Sequence, residues 1–322
     1  MTPQLIPLAA RVWRRRVCEL GQFAIAKGSR GILGGMEIQA PVHFVHAGDL
    51  DPRSASEDPR RTDFAERNVD IDLRACEFIQ PAAALWCVVY GLLAAKRNAS
   101  CRLLVPENLG VAIYLKSMEL FRILQASGVA VDDRGVGGGS TARLIIPITQ
   151  FTTESEVDRI ANQASARLTA AGVGAANLYS VVAEVFAELA MNAVQHSQSE
   201  IACLGLIQFY QFETGERFVC AVADGGIGIK ASLESNPDLR RRATYDWTAI
   251  EMALEEGVSG TGSSRRGIGL FGVAEDMAKP GRQLIIHSGI GLLRRTGGGA
   301  TSEATRTPVR FPGTLVSASI PT

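Results

Sequence analysis

Four side chains able to do chemistry recur every fourth residue in one stretch: Glu184, Glu188, Asn192 and His196. In a helix over about 177–198 this spacing puts them on one face, while Val181, Val185 and Leu189 line another. Asn is a weak helix former, so its mid-helix position is unusual. Taken alone, the stripe reads as a solvated face. Two later segments change that reading. RFVCAVADGGIGIK runs from an apolar strand directly into Asp224-Gly225-Gly226-Ile227-Gly228. Glycines after a buried strand let a ligand approach the backbone, and an Asp at the strand's end offers an acceptor to an exocyclic amine such as that of adenine. GTGSSRRGIGLFGV (260–273) then places Gly267-Ile268-Gly269 at the start of a helix. Free backbone N–H groups and the helix dipole make such a start suited to phosphates.

The elements that must position these residues fall into two groups. In the first, NVDIDLRA (68–75), CRLLVPE (101–107) and VAVDD (129–133) read as strands. They are separated by an apolar helix from Pro81 to Arg97 and an amphipathic helix from Val111 to Ser127, stopped by Gly128. Alternation of this kind predicts a mostly parallel, helix-covered sheet. In the second group a strand (142–151) precedes a helix from Glu154 to Ala171 ended by Gly172, and the helix 177–198 follows. IACLGLIQFYQF (201–212) and the strand from Arg217 are joined by a short Glu-Thr-Gly turn, a hairpin signal. A helix near 237–254, a short helix at 269–279 and strands at 283–288 and 314–320 complete an α+β sandwich.

Two stretches punctuate the chain. Residues 48–67 are rich in charge and carry two prolines, and residues 132–142 carry four glycines. The organisation expected is an N-terminal segment 1–34, an α/β domain 35–133 containing the charged loop 48–67, a Gly-rich linker 134–142 and a second domain 143–322.

Composition excludes several classes. Lys+Arg and Asp+Glu number 33 each in 322 residues, so no net charge draws the chain to nucleic acid or an anionic membrane. The longest apolar run, Pro81 to Ala95, is shorter than the roughly 20 residues a span requires. The basic cluster Arg14-Arg15-Arg16 follows an apolar stretch, the reverse of a secretory signal, so a cytoplasmic location is expected. Six cysteines (Cys18, Cys76, Cys87, Cys101, Cys203, Cys220) show no Cys-x-x-Cys pair, and most are expected as buried small hydrophobes. His43 and His46 stand three apart without a second ligand pair, so no metal site is expected there.

The order ELAMNAVQHS, VADGGIGIK, RRGIGLFGV and FPGTLVSASIP resembles the GHKL (histidine-kinase-like) ATP-binding superfamily over roughly 143–322, most closely its anti-sigma-factor kinase branch. The resemblance implies a two-layer Bergerat sandwich holding ATP and Mg²⁺ between a sheet and a layer of helices. Carried over by position, Asn192 is the Mg²⁺ ligand, Asp224 holds the adenine amino group, and Gly226 and Gly228 give the base room. Gly267 and Gly269 cradle phosphates, Thr314 contacts the base end, and His196 joins the cofactor-binding set. Glu188 occupies the general-base position one turn before Asn192, whereas Glu184 is two turns away. Between the Asp motif and the phosphate glycines, the lid of such proteins here carries Arg240-Arg241-Arg242 and Arg265-Arg266, which either meet the phosphates or stay solvated. Gly297-Gly298-Gly299 through Pro308 reads as a floppy insertion.

The first domain is similar to the STAS domain of anti-sigma-factor antagonists. At the position of that family's phosphoacceptor segment it carries Phe78-Ile79-Gln80-Pro81-Ala82-Ala83, which offers no hydroxyl. The functional expectation is a cytosolic signalling protein that binds Mg·ATP and hydrolyses it, or phosphorylates Ser/Thr on a partner protein. The alternative is an ATP-gated interaction module with little or no catalysis. A protein partner, regulator or phosphoacceptor, is implied and a homodimer is left open.

Overall fold

A computed structural model describes residues 32–33, 36–37, 43–46, 68–74, 76–133, 135–137, 143–212, 215–258, 269–299 and 303–322. The loop 48–67, Cys18, Arg265, Arg266, Gly267, and most of the segment 1–34 and of the linker 134–142 lie outside the described residues.

Strands β1 (Ile32–Leu33) and β2 (Met36–Glu37) form a small antiparallel pair. A four-stranded sheet follows, from β3 (His43–His46), β4 (Asn68–Asp72), β5 (Ser100–Leu104) and β6 (Ala130–Val131), in that spatial order. β3 runs antiparallel to β4, while β4, β5 and β6 are parallel, with Ile71 opposite Leu103. Helix α1 (Pro81–Lys96) joins β4 to β5, and α2 (Leu109–Ser117) and α3 (Leu120–Ala126) join β5 to β6. The single helix expected over 111–127 is two because Glu119 adopts a left-handed φ of 69° between them.

The second sheet is antiparallel, with β7 (Arg143–Phe151), β8 (Cys203–Phe212), β9 (Gly215–Ala223), β10 (Gln283–Thr296) and β11 (Glu303–Pro321) in the order β10-β11-β9-β8-β7. Helices α4 (Glu154–Ala171) and α5 (Tyr179–His196) precede β8. Then α6 (Gly228–Glu234), α7 (Pro237–Arg240), α8 (Asp246–Ala253) and α9 (Gly269–Met277) lie between β9 and β10. α4 starts in a capping box, with Thr153 Oγ1 accepting from the Glu156 N–H and the Glu156 carboxylate accepting in return. The expected helix 237–254 divides into α7 and α8, since Tyr245 is extended and its N–H donates to Thr248 Oγ1 at 3.0 Å.

The segment expected as a floppy insertion is instead the tip of a long hairpin. Leu293 of β10 pairs with Ala304 of β11, and Ile250 of α8 shares their apolar cluster. The turn between the strands is tied down by the Gly297 N–H donating to Arg282 O at 2.8 Å and the Gly298 N–H to Ala278 O at 3.1 Å.

Each face of the five-stranded sheet has its own cover. Alternate residues, among them Ile207, Cys220, Val222 and Val316, face α4, α5, α8 and α9. The other set, Leu204, Leu206, Ala221, Ala223 and Leu315, packs in one cluster with α1 and with Val69, Ile71 and Leu103 of the four-stranded sheet. Every residue of α1 from Pro81 to Ala94 is buried. A helix apolar all round must be covered on all sides, and here both sheets cover it. Polar bonds stitch the same interface: the Tyr90 hydroxyl donates to Arg310 O at 2.7 Å and the Tyr114 hydroxyl to Gln208 Oε1 at 2.9 Å. The five described cysteines are free and buried. Among the described residues no helix is long and apolar enough to cross a membrane.

Candidate functional site

The C-terminal half of the stripe on α5 meets the first glycine segment at a cavity of about 110 Å³. Asn192, His196, Asp224, Gly228 and Thr314 all line it. Ser197 and Ser232 also line it, and the rest of the wall is apolar, with Leu189 from α5, Val222 and Val316 from the sheet, Ile229 and Leu233 from α6, and Leu270 from α9. The apolar stripe Val182, Val185, Phe186 and Leu189 buries α5 against the sheet, which turns the polar stripe toward the cavity and α9.

At one end stands Asp224, 4% exposed, where β9 gives way to the glycine loop. Its Oδ1 accepts the Gly226 N–H at 2.8 Å and the Thr314 N–H at 3.3 Å. Burial pushes its pKa up from an ordinary 3.8 to about 7, against the pull of those two backbone donors. A carboxylate kept this dry and this poorly compensated gains from a donor arriving in the cavity.

At the other end α5 meets α9. A Cβ on Gly269 would lie 2.7 Å from Glu188 Oε2 and 3.3 Å from Asn192 Nδ2, so the first residue of α9 rests directly on these side chains. The Nδ2 of Asn192 is buried and makes no hydrogen bond among the described residues. Gln208 Nε2 is orphaned likewise, but Asn192 is the one that lines the cavity, where an arriving ligand can pair with it. Turning the amide by 180° presents Oδ1 in the same place, and the two orientations are nearly indistinguishable in shape. Glu188 and Glu184 are both exposed, but the side-chain atoms nearest to Gly269 belong to Glu188 and Asn192.

The glycines differ in what they do. Gly228 lines the cavity with φ +79°, and a Cβ there would meet Ser288 Oγ at 2.9 Å. Gly226 does not line it. A Cβ on Gly226 would fall 1.9 Å from Ser197 O, so its requirement is the close passage of the chain leaving α5, with the Ile227 N–H donating to Ser197 O at 2.8 Å. Gly313, at φ +112°, is likewise pressed on Asp224, its Cβ position 2.2 Å from Asp224 O.

Sequence reasoning passed over Ser197 and Ser288, because a lone serine at a helix end or in a strand carries no spacing signal. The arginines of α7 and its end do not line the cavity: Arg240 Nε donates to Glu234 O, and Arg242 pairs with Glu255 at 2.8 Å. Among the described residues no three His, Cys, Asp or Glu side chains converge as a metal cage.

No family model, curated protein or solved structure matches the chain.

Proposed function

We propose that the cavity is a Mg·ATP site and that the chain is a cytoplasmic signalling protein of the GHKL type, its 143–322 region a Bergerat-type sandwich and its first domain STAS-like. The observation that carries this reading is the polarity of one apolar slot: a buried acceptor, Asp224, at one end and an orphaned buried amide, Asn192, beside Glu188 and the start of α9 at the other. A flat base fits between apolar walls with its amino group donating to Asp224. A polyphosphate then extends toward Asn192 and Gly269.

The residues fit the metal that such a nucleotide brings. Mg²⁺ takes hard oxygen ligands, keeps waters and shares phosphate oxygens, so one amide oxygen from Asn192 suffices and a carboxylate cage is not required. Bound there, the cation would neutralise phosphate charge. Glu188 lies at the same end, where a carboxylate can accept a proton from an attacking water or from a Ser/Thr hydroxyl of a partner protein.

The second reading, an ATP-gated interaction module, is favoured by one observation. The Glu188 carboxylate is exposed, and among the described residues no hydrogen bond holds it in a catalytic pose. Calorimetry of ATP with and without Mg²⁺ tests the site, with Mg²⁺-dependent binding expected and absence of binding rejecting both readings. Single-turnover assays with γ-labelled ATP, with and without candidate acceptor proteins, then separate hydrolysis, transfer and binding alone.

A further inference from the structure

Ser288, at the bulge of β10, ties α6 to β11 behind the cavity without lining it. It is 2% exposed. Its Oγ accepts the Ile229 N–H at 2.9 Å, donates to Gly313 O at 3.0 Å and stands 3.3 Å from Thr314 Oγ1. The pairing of Ser288 with Thr314 is the last regular one before the register shifts at Gly289. Gly228, which begins α6, has no room for a side chain because Ser288 Oγ already lies where a Cβ would press.

Proton accounting makes this more than a brace. A hydroxyl has one proton to donate and two lone pairs to accept with. The Gly313 carbonyl can only accept, so the Ser288 proton is committed to it. The Ile229 N–H can only donate, so it fills one lone pair. The remaining lone pair faces Thr314 Oγ1, which satisfies the group only by donating. Thr314 therefore turns its proton away from the cavity and shows the cavity lone pairs alone.

We propose that Ser288 is a positioning residue for nucleotide specificity: by taking the Thr314 proton it leaves this end of the cavity, with the Asp224 carboxylate, populated by acceptors. Such an end selects a ring edge that donates, as the amino group of adenine does, and rejects one that presents a carbonyl oxygen. Ser288→Ala frees the Thr314 hydroxyl to rotate and donate into the cavity. The loss should fall on discrimination rather than on binding alone. The inference rests on the ATP reading above.

The test compares Kd for ATP and for inosine triphosphate, which carries an oxygen in place of the amino group, on the full chain. Wild type should prefer ATP, and Ser288→Ala should shrink that preference by about 5- to 30-fold, the weight of one or two hydrogen bonds. Thr314→Val should lose the same preference, and adding Ser288→Ala to it should change the ratio no further. Ile286→Val, a core trim on the same strand, should leave the ratio unchanged. Equal weakening of both nucleotides by Ser288→Ala, or an unchanged ratio, overturns the assignment while leaving the ATP reading standing. A wild-type chain that binds neither nucleotide overturns both. Hydrogen exchange on the wild type covers a variant that fails to fold: the Ile229 amide should be strongly protected without nucleotide, and exchange at the rate of an open loop overturns the assignment.

Discussion

On one face of the five-stranded sheet Leu204, Leu206, Ala221, Ala223 and Leu315 meet α1 directly; on the other, Val222 and Val316, their neighbours along the same strands, open onto the cavity. Both faces are apolar, so hydropathy alone does not tell the structural face from the functional one. The difference lies in the polar atoms. Each face holds an unpaired buried amide nitrogen, Gln208 Nε2 beside Tyr114 on the covered side and Asn192 Nδ2 at the cavity, but among the described residues only the cavity face holds a buried carboxylate, Asp224, with a raised pKa. A buried carboxylate short of donors, not an unpaired amide by itself, marks the face built for a ligand.

Truncating the anchor of the covered face should give the largest effect. Trp86 is fully buried and packs edge-on to His287 and Phe311, with ring centroids 4.9 and 5.1 Å away. Trp86→Ala should lower stability by about 3–5 kcal/mol in urea titration. Both sheets should unfold in one transition, and two resolved transitions would show that α1 does not bind them into a single unit.

On the cavity face the effects should fall on ligand and turnover while stability holds. Glu188→Ala should keep ATP binding and slow turnover by about 10²–10⁴-fold, whereas Glu184→Ala stays within a few-fold. The reverse ranking would assign the base to the wrong carboxylate. Asn192→Ala should lose Mg²⁺-dependent ATP binding and leave the melting temperature unchanged or higher, because it deletes an orphaned donor. A large drop in melting temperature would class Asn192 with the structural face.

Asp224→Asn should weaken ATP binding by about 1–3 kcal/mol. The pH dependence sharpens the point. An acid whose folded pKa is raised from 3.8 to about 7 holds its proton better folded than unfolded, so the stability it contributes is present at low pH and lost as pH rises through about 7. ATP affinity should move the opposite way, rising over the same interval as the carboxylate ionises to accept the amino group. Asp224→Asn should remove both slopes, and His196→Gln, which keeps Asp224, should retain them. Melting curves and calorimetry between pH 5 and about 8.5 read the two slopes separately.

These contrasts also show what the sequence could reveal. The stripe Glu188–Asn192–His196 was legible because helical spacing converts order into a shared face, and Asp224 because a strand runs into glycines. Gly226 was legible as a special position but for another reason, since the Ser197 carbonyl that excludes its side chain comes from the far end of α5. Ser288 was hidden, its three partners lying 25 to 59 residues away in the chain. The hairpin tip was misread because a glycine triplet signals a turn but not the length of the strands on either side. The full burial of α1 showed in its uniform apolarity, yet its second partner, the back of the later sheet, left no local mark.

That shared helix has a consequence for how the chain can be divided. The glycine-rich stretch near residue 137 is the place where a gene would be cut to separate its halves, yet the apolar seam runs straight across the cut. A fragment starting at residue 143 carries a naked back of Leu204, Leu206, Ala221, Ala223 and Leu315, and the complementary fragment carries α1 with one flank stripped. Co-expressed, the two pieces should find each other without a covalent join, as halves of a split reporter do.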